Sequence, residues 1–244
     1  MKKNGRFLIG IAIVAVVFVA LAVCITLFIK KAQNKGPYVV VIDAGHQTTA
    51  NLDTEPVGPG STEMKTKVTE GTQGVSTGIP EYELNLAVSL KLQRELEARG
   101  YTVIMCRTTN DVDMSNSERA AIANEAKADA FIRIHADGSS DSSVNGAMTI
   151  CMTKSNEYNG GLHRKSRALA EKVLDGIVDA TGCNRRKVWE TDTMSGINWS
   201  KVPVIIVEMG YMTNPEEDEL MATEEYRDKL AQGMADGIDA YFKK

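Results

Sequence analysis

Cysteine is too sparse in this chain for a thiolate metal site or a disulfide framework. Only four are present, Cys24, Cys106, Cys151 and Cys183, and no two form a CxxC pair. The last three read as small buried hydrophobes. No HExxH segment occurs, which excludes the helix-borne site of thermolysin-type proteases. There is no internal repeat and no second globular segment. Positive charge is also lacking where it would matter for nucleic acid. No acidic residue precedes Gly36, so beyond that point 22 basic residues face 32 acidic ones, a net charge of −10. A surface of that sign repels phosphate backbones, and nucleic acid is excluded as a partner.

One long apolar run is present. Phe7 to Ile29 carries no charge and is flanked by Lys2, Lys3 and Arg6 on one side and Lys30 and Lys31 on the other. As a helix at about 1.5 Å per residue it would cover a bilayer core of about 30 Å. It exceeds a signal-peptide core and lacks a small-x-small cleavage site, so the expectation is an uncleaved transmembrane anchor. Val23 before Cys24, and the position of that cysteine inside the apolar run, argue against lipidation. The flanking charges nearly balance and leave the orientation open. The expected organisation is a basic N-terminus at 1–6, an anchor at 7–29, a linker at 30–36 and one folded domain at 37–244.

Within that domain, Val39 to Ile42, Tyr101 to Cys106, Ala130 to Ile134, Ala147 to Met152 and Val202 to Val207 read as strands. Helices are expected over Glu81 to Arg99, Ser117 to Lys127 and Leu162 to Ala180. A short helix follows Asn214-Pro215, and a last one carries Tyr226, Leu230, Met234, Ile238 and Phe242. Residues 47–80, rich in Gly, Thr, Pro and Ser, read as a long loop. Strands alternating with helices predict an α/β fold, a three-layer α/β/α sandwich with a mostly parallel sheet, preceded by one N-terminal transmembrane helix.

Four residues carry the chemistry: His46 in VVVIDAGHQ, Glu81 in PEYELNL, His135 in FIRIHAD and Glu208 in VPVIIVEMGYMTN. Three of them stand at or just after strand ends, where ligand sites gather in open α/β sheets. A single strand-end histidine is often a core residue with one hydrogen bond. Two of the chain's three histidines in equivalent positions favour ligands, while His163, beside Asn159-Gly160-Gly161, reads as a surface residue. Two imidazoles and a carboxylate make a zinc centre with an open position, and a spare carboxylate makes a general base. Position alone does not choose between Glu81 and Glu83. A carboxylate at the end of the buried run Val204 to Val207 needs a partner for its charge. Asp43 would orient an imidazole or shape the turn, and these readings weigh equally.

The ordered set IDAGHQ, EYELNL with GYTVIMCRTT, RAAIAN with ADAFIRIHAD, and VPVIIVEMGYMTNPEED resembles the zinc-dependent N-acetylmuramoyl-L-alanine amidases, the type-3 family of cell-wall hydrolases. The resemblance runs from about Val39 to the C-terminus. It implies one Zn2+ ion on His46, Glu81 and His135, with Glu81 chosen over Glu83 by its spacing to Asn85. It also implies Glu208 as the catalytic base and the muramoyl–L-alanine amide of peptidoglycan as substrate. Arg133 departs from the family, which often carries a small residue there, and the loop 47–80 is longer than in compact members. In WETDTMSGINW, Asn198 and Trp199 either contact substrate or pack a loop. A substrate in the wall implies a membrane-anchored, extracytoplasmic domain, in vegetative remodelling or in sporulation, with a protein activator left open. The competing readings are a zinc carboxypeptidase-like peptidase, with Arg107 or Arg133 as its carboxylate clamp, and a non-catalytic wall-binding or activator protein.

Overall fold

The computed structural model describes residues 38–243, and the expected anchor at 7–29 lies outside them. Among the described residues no helix is long and apolar enough to cross a membrane. Eight strands form a six-stranded sheet and a separate two-stranded hairpin. The central strands are β1 (Val39–Ala44), β5 (Ala130–Asp137) and β8 (Val204–Tyr211), all rich in buried β-branched residues. Near-continuous apolar runs of this kind belong to strands covered on both faces. The sheet order is β4-β1-β5-β8-β6-β7, with β4 at Thr102–Met105, β6 at Ala147–Cys151 and β7 at Arg185–Glu190.

The pairings are parallel except that of β6 with β8, so β6 and β7 run against the other four strands. The mostly parallel sheet is therefore as expected. Strand β7 was not foreseen: RRKVWE begins with three exposed cations and has no clean alternation, because it is an edge strand with little to bury.

The helices start and stop where local chemistry directs. Helix α1 (Glu81–Ala98) buries Leu84, Val88, Leu92 and Leu96 on one stripe and gives way to Gly100 at φ +87°. Helix α2 (Asn116–Glu125) opens with a reciprocal capping box between Ser115 and Glu118. Helix α3 (His163–Thr181) ends on left-handed Gly182. The single turn α4 (Ser195–Asn198) precedes β8. Asn214 accepts from the amides of Glu216 and Glu217 to cap α5 (Pro215–Met221), and Thr223 caps α6 (Glu224–Phe242).

The two faces of the sheet are covered unequally. Helices α1, α3 and α6 pack together on one face, with α3 and α6 in close contact along their length. The other face carries only α2, the turn α4 and the hairpin of β2 (Asn51–Pro56) with β3 (Met64–Val68). Thin cover leaves room for a cleft over the strand ends. The hairpin falls within residues 47–80, so the expected unstructured loop is corrected. Its strands are exposed and polar, as in LDTE and MKTK, and the apolar alternation that announces a strand is missing.

Close approach of α3 and α6 depends on small residues. A Cβ built on Gly237 would lie 2.4 Å from the Lys172 carbonyl oxygen and 2.5 Å from Val173 Cα. Backbone cannot yield as a side-chain tip can, so Gly237→Ala must separate the helices. A loss of about 1–3 kcal/mol is expected, read as a lowered urea midpoint; an unchanged midpoint would show that the crossing tolerates a methyl group.

Candidate metal centre

Strand β1 runs out at Ala44, and Gly45 continues the ladder by donating to the Ile134 carbonyl at 2.9 Å. The His135 imidazole rests directly on Gly45, where an added Cβ would sit 2.2 Å from the ring. His46 then adopts φ +60°, a left-handed conformation that costs a non-glycine residue about 1–2 kcal/mol. Two arginines hold the strained turn. Arg119 donates to the carbonyls of Ala44 and His46 at 2.8 and 3.1 Å, and Arg107 to those of Ala44 and Gly45 at 2.7 and 3.0 Å. The turn brings the His46 ring to 4.8 Å from that of His135, edge to face.

Glu81, in the first turn of α1, completes the group: one donor atom from each of His46, Glu81 and His135 lies within 4.8 Å of the others. Glu81 Oε1 stands 3.2 Å from His46 Nε2 and 3.1 Å from His135 Nδ1, and also accepts from Asn85 Nδ2 and the Ala136 amide. Its second oxygen accepts from the Thr72 amide at 2.9 Å. Burial alone would raise the Glu81 carboxyl, but its contacts with the His135 and His46 imidazoles outweigh it and hold the group below the usual carboxylate range. Glu83 takes no part in the cluster.

The donor set fits a metal ion on three counts. His46 Nδ1 lies 2.8 Å from the Thr69 carbonyl oxygen, while Nε2 faces a carboxylate. A neutral imidazole has one N–H, so with Nδ1 donating to Thr69, Nε2 turns a lone pair towards Glu81. A cation between them converts that repulsion into ligation, and the carbonyl contact is the usual outer support of a metal-binding histidine. Burial drives His135 down to about 4, so its ring is neutral at pH 7 and able to ligate. Finally, His135 Nε2 and Glu208 Oε2 are buried polar atoms without a hydrogen-bond partner.

Glu208 is paired in register with His135 across β5 and β8, so the two side chains share a face. Burial first, and then the negative charges of Glu81 and Asp137, push its carboxyl well above the ordinary range, against a smaller pull from Arg133. Two lobes open around these residues. One, of about 590 Å³, is floored by Arg133, Ile150 and Ile206 and walled by Met64, Lys65 and Met194. The other, of about 450 Å³, is polar, with Thr72, Asp137, Ser139 and Thr213. Both share His46, His135 and Glu208.

The remaining expectations fare differently. Asp43 touches no imidazole: its oxygens bind Arg119 at 2.6 Å and Arg133 at 2.9 Å, beneath the cleft. Asn198 is buried, donating to the carbonyls of Val57 and Asp192 and accepting from Asn156, so it packs the loop. The Trp199 indole donates to the Pro56 carbonyl, and its ring borders a separate groove against α2. Both residues anchor the hairpin and α4, and neither lines the cleft. Arg107 spends its guanidinium on carbonyls and Asn110, which rules it out as a carboxylate clamp. The roles of Arg119 and Thr69 were not anticipated; Arg119 stood in the quoted RAAIAN motif, but nothing in sequence pairs it with Asp43.

A three-layer α/β fold with a histidine–glutamate–histidine group at its strand ends is the framework of a metal-dependent hydrolase. Residues 40–240 match the family described as N-acetylmuramoyl-L-alanine amidase, and the chain belongs to that family. LytC of Bacillus subtilis (strain 168), an N-acetylmuramoyl-L-alanine amidase, is 31% identical over 69% of this chain and 32% of its own length. LytH of Staphylococcus aureus, a probable cell wall amidase, is 31% identical over 66% of this chain and 50% of its own. The chain thus spans about a third and a half of these two relatives. The apo crystal structure of the amidase Ami1 from Mycobacterium abscessus superposes with a TM-score of 0.77 at 26% identity, covering 85% of this chain and 99% of that one.

The raised carboxyl of Glu208 has a consequence for stability. In the metal-free fold it keeps its proton above the pH at which an unfolded glutamate, near 4.5, releases it. Its contribution is therefore complete below that pH and is lost as the pH rises through the folded value. Metal-stripped Glu208→Gln should gain on the wild type as the pH rises above the value at which an unfolded glutamate ionises, seen as a widening gap between urea midpoints. A constant gap would mean that the carboxyl titrates normally.

Proposed function

We propose that this chain hydrolyses the amide between the lactyl group of N-acetylmuramic acid and the L-alanine of the peptidoglycan stem peptide. The observation that carries the reading is the juxtaposition, at the floor of one cleft, of His46, Glu81 and His135 with the unpartnered carboxyl of Glu208 beside them. Family membership supports the same bond.

His46, Glu81 and His135 would hold one zinc ion. When bound, zinc supplies Lewis acidity that polarises a carbonyl and lowers the pKa of a neighbouring water. Glu208, next to His135, takes the proton of the attacking water and returns it to the departing alanine nitrogen. An amide has a poor leaving group, so that return matters as much as the attack. Glu81 is already ionised and offers a charged ligand at neutral pH.

The apolar run Phe7 to Ile29 supports a single-pass anchor that keeps the domain beside its polymer, on the outer side of the membrane where peptidoglycan lies. Wall remodelling and spore-cortex processing both fit such an enzyme.

Zinc-loaded full-length protein in detergent should release from purified peptidoglycan stem peptides that begin at L-alanine, leaving glycan chains intact, as read by mass spectrometry. Shortened stem peptides would instead indicate a peptidase. Glu208→Gln should retain zinc yet lose turnover by roughly 10²–10⁴-fold; metal analysis and product release on the same sample check both halves, and undiminished turnover would remove Glu208 from the mechanism.

A further inference from the structure

Three arginines are buried beneath the cleft, and they differ in one respect. A guanidinium has five N–H groups. Arg119 uses all of them, on Met114 O, Asp43 Oδ1, Ala44 O, His46 O and Gln47 Oε1. Arg107 also uses all of its own, on Ala44 O, Thr109 O, Asn110 Oδ1, Gly45 O and Tyr82 O. Arg133 uses two: Nε donates to Asp43 Oδ2 at 2.9 Å and Nη2 to Asn116 Oδ1 at 2.6 Å. Three of its N–H groups, including both on Nη1, have no acceptor among the described residues. Its side chain is only 4% exposed, and it lines the larger lobe of the cleft.

A purely structural arginine has no reason to be left in this state. Its spare N–H groups open on the lobe rather than into sealed core, whereas the two neighbouring arginines show how completely this fold pairs a guanidinium when structure is the only demand. The charge balance points the same way. Asp43 is the only carboxylate bound by Arg119 or Arg133, so one buried negative charge is divided between two positive ones. The excess faces the lobe. Lys65, the other cation of that lobe, donates to the Thr193 carbonyl at 2.7 Å and adds to the positive charge there.

The guanidinium is also held in place. Asp43 and Asn116 fix two of its nitrogens, and Gly196 on α4 makes room for the third, since a Cβ there would overlap Nη1. The Phe131 ring, with its centroid 6.0 Å from Cζ, supplies no lone pair. A planar donor edge, pre-set and unpaired where it lines the lobe, matches a carboxylate.

We infer that Arg133 is the anion subsite of this enzyme and binds a free carboxylate on the peptide side of the scissile amide, so that the peptide occupies the Arg133 lobe. The inference rests on the proposed amidase activity and specifies the substrate further. The lactyl carboxyl of the glycan is consumed in the amide itself, so free carboxylates belong to the peptide. Arg133 and His135 share a face two residues apart along β5, a step of about 6–7 Å. The guanidinium, His46 and His135 therefore open on the same lobe, and since L-alanine carries no free carboxylate, the first one available beyond the scissile amide is on the second residue of the stem. The aliphatic lining from Ile150, Ile206 and Met194 suits a peptide, and the hydroxyl-rich second lobe suits a sugar. Arg133 thereby sets the direction in which substrate lies across the donor trio.

The test uses two synthetic muramoyl peptides that differ only in whether the second residue carries a carboxylate or a carboxamide. Full-length zinc-loaded protein should prefer the carboxylate by roughly tenfold or more in kcat/KM, and Arg133→Gln should bring the ratio close to one. Arg133→Lys keeps the charge without the planar fork and should give an intermediate ratio. A readout independent of turnover is calorimetric binding of the two free peptides to Glu208→Gln protein, which should rank them in the same order. Equal handling of the two peptides by the wild type overturns the subsite, and needs no variant that folds. A preference that survives in Arg133→Gln overturns it as well. Cleavage of both peptides at equal rates would leave the amidase activity standing without the subsite. Preferential binding of the carboxylate peptide without cleavage of either would do the reverse.

Discussion

The buried contact between Arg119 and Asp43 is the constraint on which the site depends. Asp43 is fully buried and lies below the usual carboxylate range; burial alone would raise it, and Arg119 and Arg133 reverse the shift. With its charge fixed, Asp43 aims Arg119 at the carbonyls of Ala44 and His46. Those bonds oppose the strain of a left-handed His46, and that conformation turns the imidazole back over Gly45 towards His135. Removing one partner of such a pair leaves an uncompensated buried charge, which costs more than the pair itself contributes. The metal centre is thus supported from below by ion pairs whose members are far apart in sequence.

How much of this was legible in the sequence varies with the kind of residue. The strands that deliver His46, His135 and Glu208 could be read because their apolar runs are continuous and end abruptly in a polar residue. Helix α1 was equally plain, since Leu84, Val88, Leu92 and Leu96 repeat at helical spacing. The hairpin was not, because its strands bury almost nothing and their polar composition matches that of a loop. For Asp43, Asn198 and Trp199 two roles each stayed open, for one reason. Each spends its polar atoms on groups distant in sequence, such as Arg119, Val57 and Pro56, and no local pattern records such a pairing. Arg133 stood out as a departure from the family resemblance, but its meaning depended on knowing which of its N–H groups are satisfied.

The cleft trades stability for chemistry at several points. His46 holds a strained backbone, His135 and Glu208 bury atoms without partners, and Arg133 leaves most of its guanidinium unpaired. Each is unfavourable in the empty fold and becomes favourable once a cation or an anion arrives. The three-helix layer on the opposite face, with its glycine-lined crossing of α3 and α6, carries none of these four residues. The sheet therefore has a stabilising side and a working side.

The cationic edge of the sheet sets how the domain meets its own kind. Strand β7 presents Arg185, Arg186 and Lys187 along an open edge. Open edges invite pairing with a neighbouring chain. Arg185 is paired with Glu171 and Asp175, but a second copy brings the same Arg186 and Lys187 charges, so two β7 edges repel before their backbones can bond. Aggregation by growth of the sheet through β7 is discouraged by charge in a chain that is otherwise acidic beyond Gly36.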